Sequence, residues 1–220
     1  MAVRFLTIDN PYALNYEEVS SEYETISAKY IELIIERADE FVEKEEHGKA
    51  ISVINTALKN LTDDSKTELL EKKEQIESSI PVLLSDVKMT TSNYIEQITV
   101  DKGSVEDNIG NILAPGNLFK MNIWNSLVGY AEVYVNQQYS TLKGTISVSD
   151  ETKEGVSLFF EVYADDKLIH TEKLDKKTTP ISVDIDISNA EWIKLQLKKT
   201  ESADYFGHGE VYLSDFKFYS

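Results

Sequence analysis

The chain has 220 residues, 39 acidic and 22 basic, for a formal net charge of −17; 41% are hydrophobic, 10% aromatic and none is cysteine. This describes a soluble acidic globular protein with enough apolar residues for a sizeable core, and excludes a disordered or fibrous chain. It also excludes a disulfide framework, a thiolate nucleophile and any cysteine-ligated zinc site.

The negative charge is spread along the chain. Residues 1–90 carry 19 acidic against 10 basic side chains, and residues 91–220 carry 20 against 12, which argues against a nucleic-acid partner. No apolar run approaches the roughly 20 residues of a membrane span. Residues 1–16 hold no apolar stretch long enough for a secretory signal, so the sequence as it stands favours the cytoplasm.

After a partly irregular start over residues 1–16, apolar residues fall at Tyr23, Ile26, Tyr30, Leu33, Ile34, Ala38 and Phe41. Their spacing of three or four places one stripe on a long helix. The polar run 43–49, with Gly48, predicts a turn, after which Ala50, Ile51, Val53, Ile54, Ala57, Leu58 and Leu61 form a second helical face. Ser65 with Glu68 three places on fits a capping box that opens a third helix through Leu69, Leu70 and Ile76. Pro81 stops it. The expectation is a three-helix bundle or hairpin over residues 1–82. Residues 48–58 resemble the second helix of a tetratricopeptide-like hairpin, over one repeat at most.

Beyond Pro81 the period changes to two. Leu142, Gly144, Ile146 and Val148 alternate with polar residues, as do Ile181, Val183, Ile185 and Ile187, while Val156, Leu158, Phe160 and Val162 alternate with a mixed second face. Such alternation marks strands with one buried face. Further strands are expected at 94–100, 118–124, 128–135, 167–174, 192–198 and 210–219, with a tight hairpin turn at Asp165-Asp166. Eight or nine short strands without intervening helices predict an antiparallel β-sandwich of jelly-roll type over residues 92–220, joined to the helices by a linker at 83–91. The fold class is therefore α+β in two domains.

The order of landmarks in the second half resembles a known family. Asp107-Asn108-Ile109-Gly110-Asn111, Gly129-Tyr130-Ala131-Glu132-Val133-Tyr134-Val135, Tyr139-Ser140-Thr141-Leu142-Lys143-Gly144-Thr145 and Asp165-Asp166-Lys167-Leu168-Ile169-His170 together look like the NPCBM family of carbohydrate-binding modules, also called NEW2. The resemblance covers residues 92–220. It implies a β-sandwich fold and a non-catalytic, glycan-binding role, the family being commonly appended to glycoside hydrolases, and it carries over no ligand residue.

Sugar rings present apolar C–H faces that stack on aromatic planes, and their hydroxyls need planar polar partners. By alternation Trp192 shares the outer face of its strand with Lys194 and Gln196, opposite Ile193, Leu195 and Leu197. It is either a sugar platform or a cover for a sheet edge or the helical segment. Trp124, between Asn122 and Asn125, stands either at a strand end or in the core. Tyr205 and His208 lie in the aromatic loop Asp204-Tyr205-Phe206-Gly207-His208-Gly209, which either binds ligand or plugs one end of the sandwich. No cofactor is called for; Asp165, Asp166, Asp184 and Asp186 are the nearest approach to a structural calcium cluster, without EF-hand spacing. His47, His170 and His208 lie in no catalytic or metal-ligand motif, so no enzyme is expected. Two functions fit: a carbohydrate-binding protein whose helical segment makes it oligomeric, with a polysaccharide as partner, or an intracellular or phage-type adaptor that uses the same sandwich to bind a protein.

Overall fold

The change of period at Pro81 is also where the chain divides into two compact units, Met1–Ile80 and Pro81–Ser220. The computed structural model describes residues 16–124, 127–200 and 207–220, with side chains from residue 19 onward except that of Asp64.

The first unit holds α1 (Tyr16–Val42), α2 (His47–Leu58) and α3 (Thr67–Ser78). Their shared core is Ile31, Ala38, Ala50, Ile54, Ala57, Leu61, Leu69 and Ile76. Ala38, Ala50 and Ala57 are fully buried, and side chains this small let helix backbones approach closely. Tyr23 donates its hydroxyl to Thr62 Oγ1 at 3.2 Å, and Lys72 of α3 pairs with Asp39 of α1 at 2.6 Å. Two expectations are corrected. Ile26, Leu33 and Leu70, assigned to buried stripes, are half or more exposed, because the core-facing side of α1 runs through Ile31 as well as Ala38, and that of α3 through Leu69 and Ile76. Ser65 caps no helix: it closes a 3₁₀ turn, Asp63–Ser65, and α3 begins after Lys66 without a side-chain cap.

Among the described residues the second unit contains thirteen strands: β1 (Val82–Leu83), β2 (Met89–Asn93), β3 (Ile95–Gln97), β4 (Val105–Glu106), β5 (Ile112–Leu113), β6 (Leu118–Ile123), β7 (Val128–Tyr134), β8 (Thr141–Val148), β9 (Ser157–Ala164), β10 (Lys167–Asp175), β11 (Ile181–Asp186), β12 (Trp192–Lys199) and β13 (Gly209–Tyr219). One sheet has the order β11-β8-β13-β6-β3, with β1 added beside β13; the other has the order β10-β9-β12-β7-β2. The pairings in both are antiparallel, and their inner faces share one apolar core that includes Leu158, Phe160, Leu195, Leu213, Phe216 and Phe218. This is an antiparallel β-sandwich. The stretch 83–91, expected as a linker, is instead built into it: Val82 and Leu83 pair with Phe218 and Lys217, and Met89 opens β2 against Val133. Those strands are too short to show an alternating period. The strand expected over 94–100 shrinks to β3, followed by a 3₁₀ turn, Val100–Lys102.

The two sheets differ on their outer faces. Tyr212 of the first sheet is covered by Ile98 and Leu118, with Val105 and Leu113 packed alongside. On the second sheet the residues facing outward from β7 and β12, Tyr130, Glu132, Tyr134, Trp192, Lys194 and Gln196, all keep some solvent exposure.

A bulge in β13 places Phe216 in the core between the sheets. The register slips between Ser214 and Lys217, Asp215 takes φ 55, and the fully buried Phe216 ring meets Phe160 edge-on at 6.2 Å. Asn117 holds the bulge from outside, donating Nδ2 to the Phe216 carbonyl at 2.8 Å and accepting the Asp215 N–H on its own carbonyl at 3.1 Å. The ring lies on Gly144, where a Cβ would come within 2.2 Å of it. Gly144→Ala therefore lowers unfolding stability by about 3 kcal/mol through overpacking, read as a shifted urea midpoint at constant slope. Adding Phe216→Leu recovers part of the loss; an unchanged midpoint for the single variant would show that the ring yields freely.

Candidate functional site

Trp192 opens β12 and Tyr134 closes β7, and antiparallel pairing sets them directly opposite each other. Both point outward, 42% and 47% exposed, with ring centroids 4.9 Å apart and planes tilted by 50°. One row inward, Thr91, Glu132, Lys194 and Tyr163 stand side by side across β2, β7, β12 and β9. Together with Asp165, Asp166, Glu191 and Ile193, Trp192 and the Thr91, Glu132 and Lys194 of this row line an open cleft of about 500 Å³.

The β9–β10 turn builds one wall. Asp165 and Asp166 take φ 47 and 65, the left-handed values that a two-residue I′ hairpin requires and that Asp tolerates better than most residues. Asp165 then accepts the Glu191 and Trp192 backbone N–H groups, the shortest at 2.9 Å, while its own N–H donates to the Trp192 carbonyl. Trp192 is thus held at its backbone by a turn from another strand. Lys194 lies over the Tyr163 ring at 4.5 Å and 3.7 Å from the Asp166 carboxylate. Below it, the buried Glu161 carboxylate accepts the Tyr163 hydroxyl and Gln196 Nε2, each at 2.7 Å. Burial first, and then the Glu161 carboxylate, hold the Tyr163 phenol above its ordinary pKa.

Trp124 and His208 meet elsewhere, stacked at 4.9 Å and 29°. Lys199, at the far end of β12 from Trp192, donates Nζ to the carbonyls of Trp124 and Gly207 at 2.8 and 2.9 Å. Seven residues of strand separate this cluster from Trp192, about 23 Å. Trp124 is exposed, but both His208 ring nitrogens face protein groups: Nδ1 is 3.2 Å from the Glu151 carbonyl and Nε2 is 3.7 Å from Glu210. Glu210 is itself buried and bonded by Ser149 and Tyr212, and burial, reinforced by its charge, raises the Tyr212 phenol pKa. Tyr205 lies outside the described residues.

The sequence candidates therefore separate into Trp192 on one side and Trp124 with His208 on the other. The four aspartates do not converge. Asp165 and Asp166 flank the Trp192 cleft, Asp184 pairs with Lys143 at 2.8 Å, and Asp186 accepts the Ser188 N–H, which holds its carboxyl below the usual range. Among the described residues no group of three or more His, Asp or Glu is placed to hold a metal ion. Tyr134, Glu132 and the positioning role of Asp165 escaped sequence reading. The alternation along 128–135 puts Glu132 and Tyr134 on one face, but only the β7–β12 register brings that face to Trp192.

A family model described as the NPCBM/NEW2 domain matches residues 81–216. Among curated proteins none matches the chain. Of the solved structures, the CBM51-2 and INT domains of Clostridium perfringens ZmpB superpose with a TM-score of 0.50 at 15% identity, covering 64% of this chain and 31% of that one. The CBM51 of C. perfringens GH95, solved in complex with methyl-galactose, gives 0.48 at 16% identity, covering 63% and 99%. The tandem CBM51 modules of a Streptococcus pneumoniae family 98 glycoside hydrolase give 0.49 at 13%, covering 64% and 47%. The alignment thus spans about a third of the ZmpB fragment's length, and at 15% identity the likeness to that fragment is one of fold.

Asp165→Ala frees the start of β12. In a Trp124→Phe background, where Trp192 is the remaining indole, its fluorescence anisotropy falls and stability drops by about 1 kcal/mol, the net worth of a hydrogen bond to a charged acceptor at an exposed site. Unchanged anisotropy would place the force that holds Trp192 elsewhere.

Proposed function

This chain belongs to the NPCBM/NEW2 domain family through residues 81–216, and we propose from that membership that it is a non-catalytic carbohydrate-binding protein whose site is the Trp192–Tyr134 cleft. The observation that carries the reading is the exposed Trp192 ring lining that cleft, with the exposed Tyr134 ring against it. An indole in water offers a flat apolar face to the C–H side of a pyranose, and neighbouring side chains meet its hydroxyls: Thr91 and Lys194 as donors, Glu132 and Glu191 as acceptors. With planes 50° apart, the two rings cannot lie flat on one sugar face, so Trp192 is the platform and Tyr134 a side wall. Trp124, backed by His208, is a secondary contact whose remaining open face takes a sugar without help from the histidine.

The helical unit is read as the oligomerising element. Ile26 and Leu33 lie seven residues apart on α1 and are 52% and 62% exposed, so they share one helix face that a second copy would cover. Joining two weak sugar sites in this way raises apparent affinity by roughly 10²–10⁴-fold where both reach one polymer.

Two measurements check these readings. Trp192→Ala weakens retention on insoluble polysaccharides, or signal on a glycan array, by about tenfold, corresponding to about 1.4 kcal/mol of stacking. Equal retention by variant and parent would remove the cleft as the site. Light scattering of the full chain finds a dimer or larger species that Leu33→Glu converts to monomer. A monomeric parent chain would leave this face for a different protein and favour the adaptor function.

A further inference from the structure

We propose that the Trp192–Tyr134 cleft selects sugars carrying a protonated amine, unacetylated hexosamines, over their neutral and anionic counterparts. The proposal rests on the reading of this cleft as a sugar site and adds the charge of its ligand.

Four carboxylates line the cleft, on Glu132, Asp165, Asp166 and Glu191, against the single ammonium of Lys194. Their engagement differs. Asp165 is taken up by the backbone of Glu191 and Trp192. Glu132 stands directly opposite Lys194 in the β7–β12 register, where a cross-strand ion pair is expected, yet Lys194 turns away to Asp166 and the face of Tyr163. Among the described residues the side chains of Glu132 and Glu191 have no hydrogen-bond or ion-pair partner, and Glu132 is half-buried. A half-buried carboxylate next to water-exposed aromatic rings is unmatched, and a ligand cation would answer it.

The rings point the same way independently. Trp and Tyr carry negative potential on their faces and attract ammonium groups placed over them, and here both rings are open to a ligand. Aromatic faces joined to unpaired carboxylates recognise amines and repel uronate or sulfate groups. The pyranose ring supplies the stacking surface; the amine distinguishes an unacetylated hexosamine from its N-acetyl form.

Calorimetry on the full chain tests this with three matched probes: glucosamine oligosaccharides, N-acetylglucosamine oligosaccharides of equal length, and oligogalacturonate. At low ionic strength the amine form binds about tenfold more tightly than the acetylated one and the uronate most weakly. Glu132→Gln and Glu191→Gln each lower the amine-to-acetyl ratio by roughly threefold, the scale of one exposed charge pair. Added salt compresses the same ratio, as does raising the pH through the sugar amine's own pKa. Glu71→Gln on α3 removes one charge from the helical unit and keeps the ratio. A ratio that survives the double Glu132→Gln, Glu191→Gln substitution would trace to the overall negative charge and overturn the proposal. Binding of amine and acetylated forms with equal affinity overturns it too, while leaving the sugar site standing. Binding of none of the three overturns both.

Discussion

The sandwich depends on one packing constraint: the Phe216 ring that reaches Phe160 in the opposite sheet occupies the space that a side chain at Gly144 would need. Interiors pack at near-crystalline density, so a ring inserted between sheets needs a position without a side chain beneath it. Gly144 provides that space in β8, and the left-handed Asp215 turns the ring toward it. Phe160 then ties the first sheet to β9. Its strand continues into the turn whose aspartate holds the start of β12, so the lock at the centre of the sandwich fixes the strand that carries the exposed indole.

The two outer faces differ, and the reason is sequence-local. The segment between β3 and β6 folds back on the first sheet, where Ile98, Leu118 and Tyr212 form a small apolar cluster. On the second sheet the outward residues are long and amphipathic instead. Glu161 is buried there beneath its neighbours, and its charge is met by Tyr163 and Gln196, which satisfies a group that would otherwise be costly to desolvate. That network stiffens the floor of the face while leaving Trp192 and Tyr134 above it open to water.

Much of this was legible in the residues. The shift from a period near 3.6 to one of two divides helices from sandwich, and the alternation along β12 puts Trp192 outward, because side-chain direction follows directly from backbone period. What the period does not encode is pairing. Tyr134 carries no local signal of function; it matters because antiparallel register sets it against Trp192. Residues 83–91 read as linker because the parts of β1 and β2 that they contain are too short to display alternation. Ile26 and Leu33 were misplaced for a related reason: a three-four spacing defines several overlapping stripes on a 27-residue helix, and only the position of Ala50 and Ile54 on the neighbouring helix selects the one that is buried.

The turn at Asp165 and Asp166 shows how local cost and side-chain placement connect. Left-handed backbone at two successive non-glycine residues is unfavourable by roughly 1 kcal/mol each, and glycine would remove that cost. It would also remove the carboxylate that accepts the Trp192 N–H and the one that draws Lys194 aside. With Lys194 drawn to Asp166, Glu132 is left without the cation opposite it. The chain's charge of −17 is, over most of the surface, a matter of solubility. In this cleft the geometry separates one lysine from the nearest glutamate and leaves that charge beside two aromatic rings.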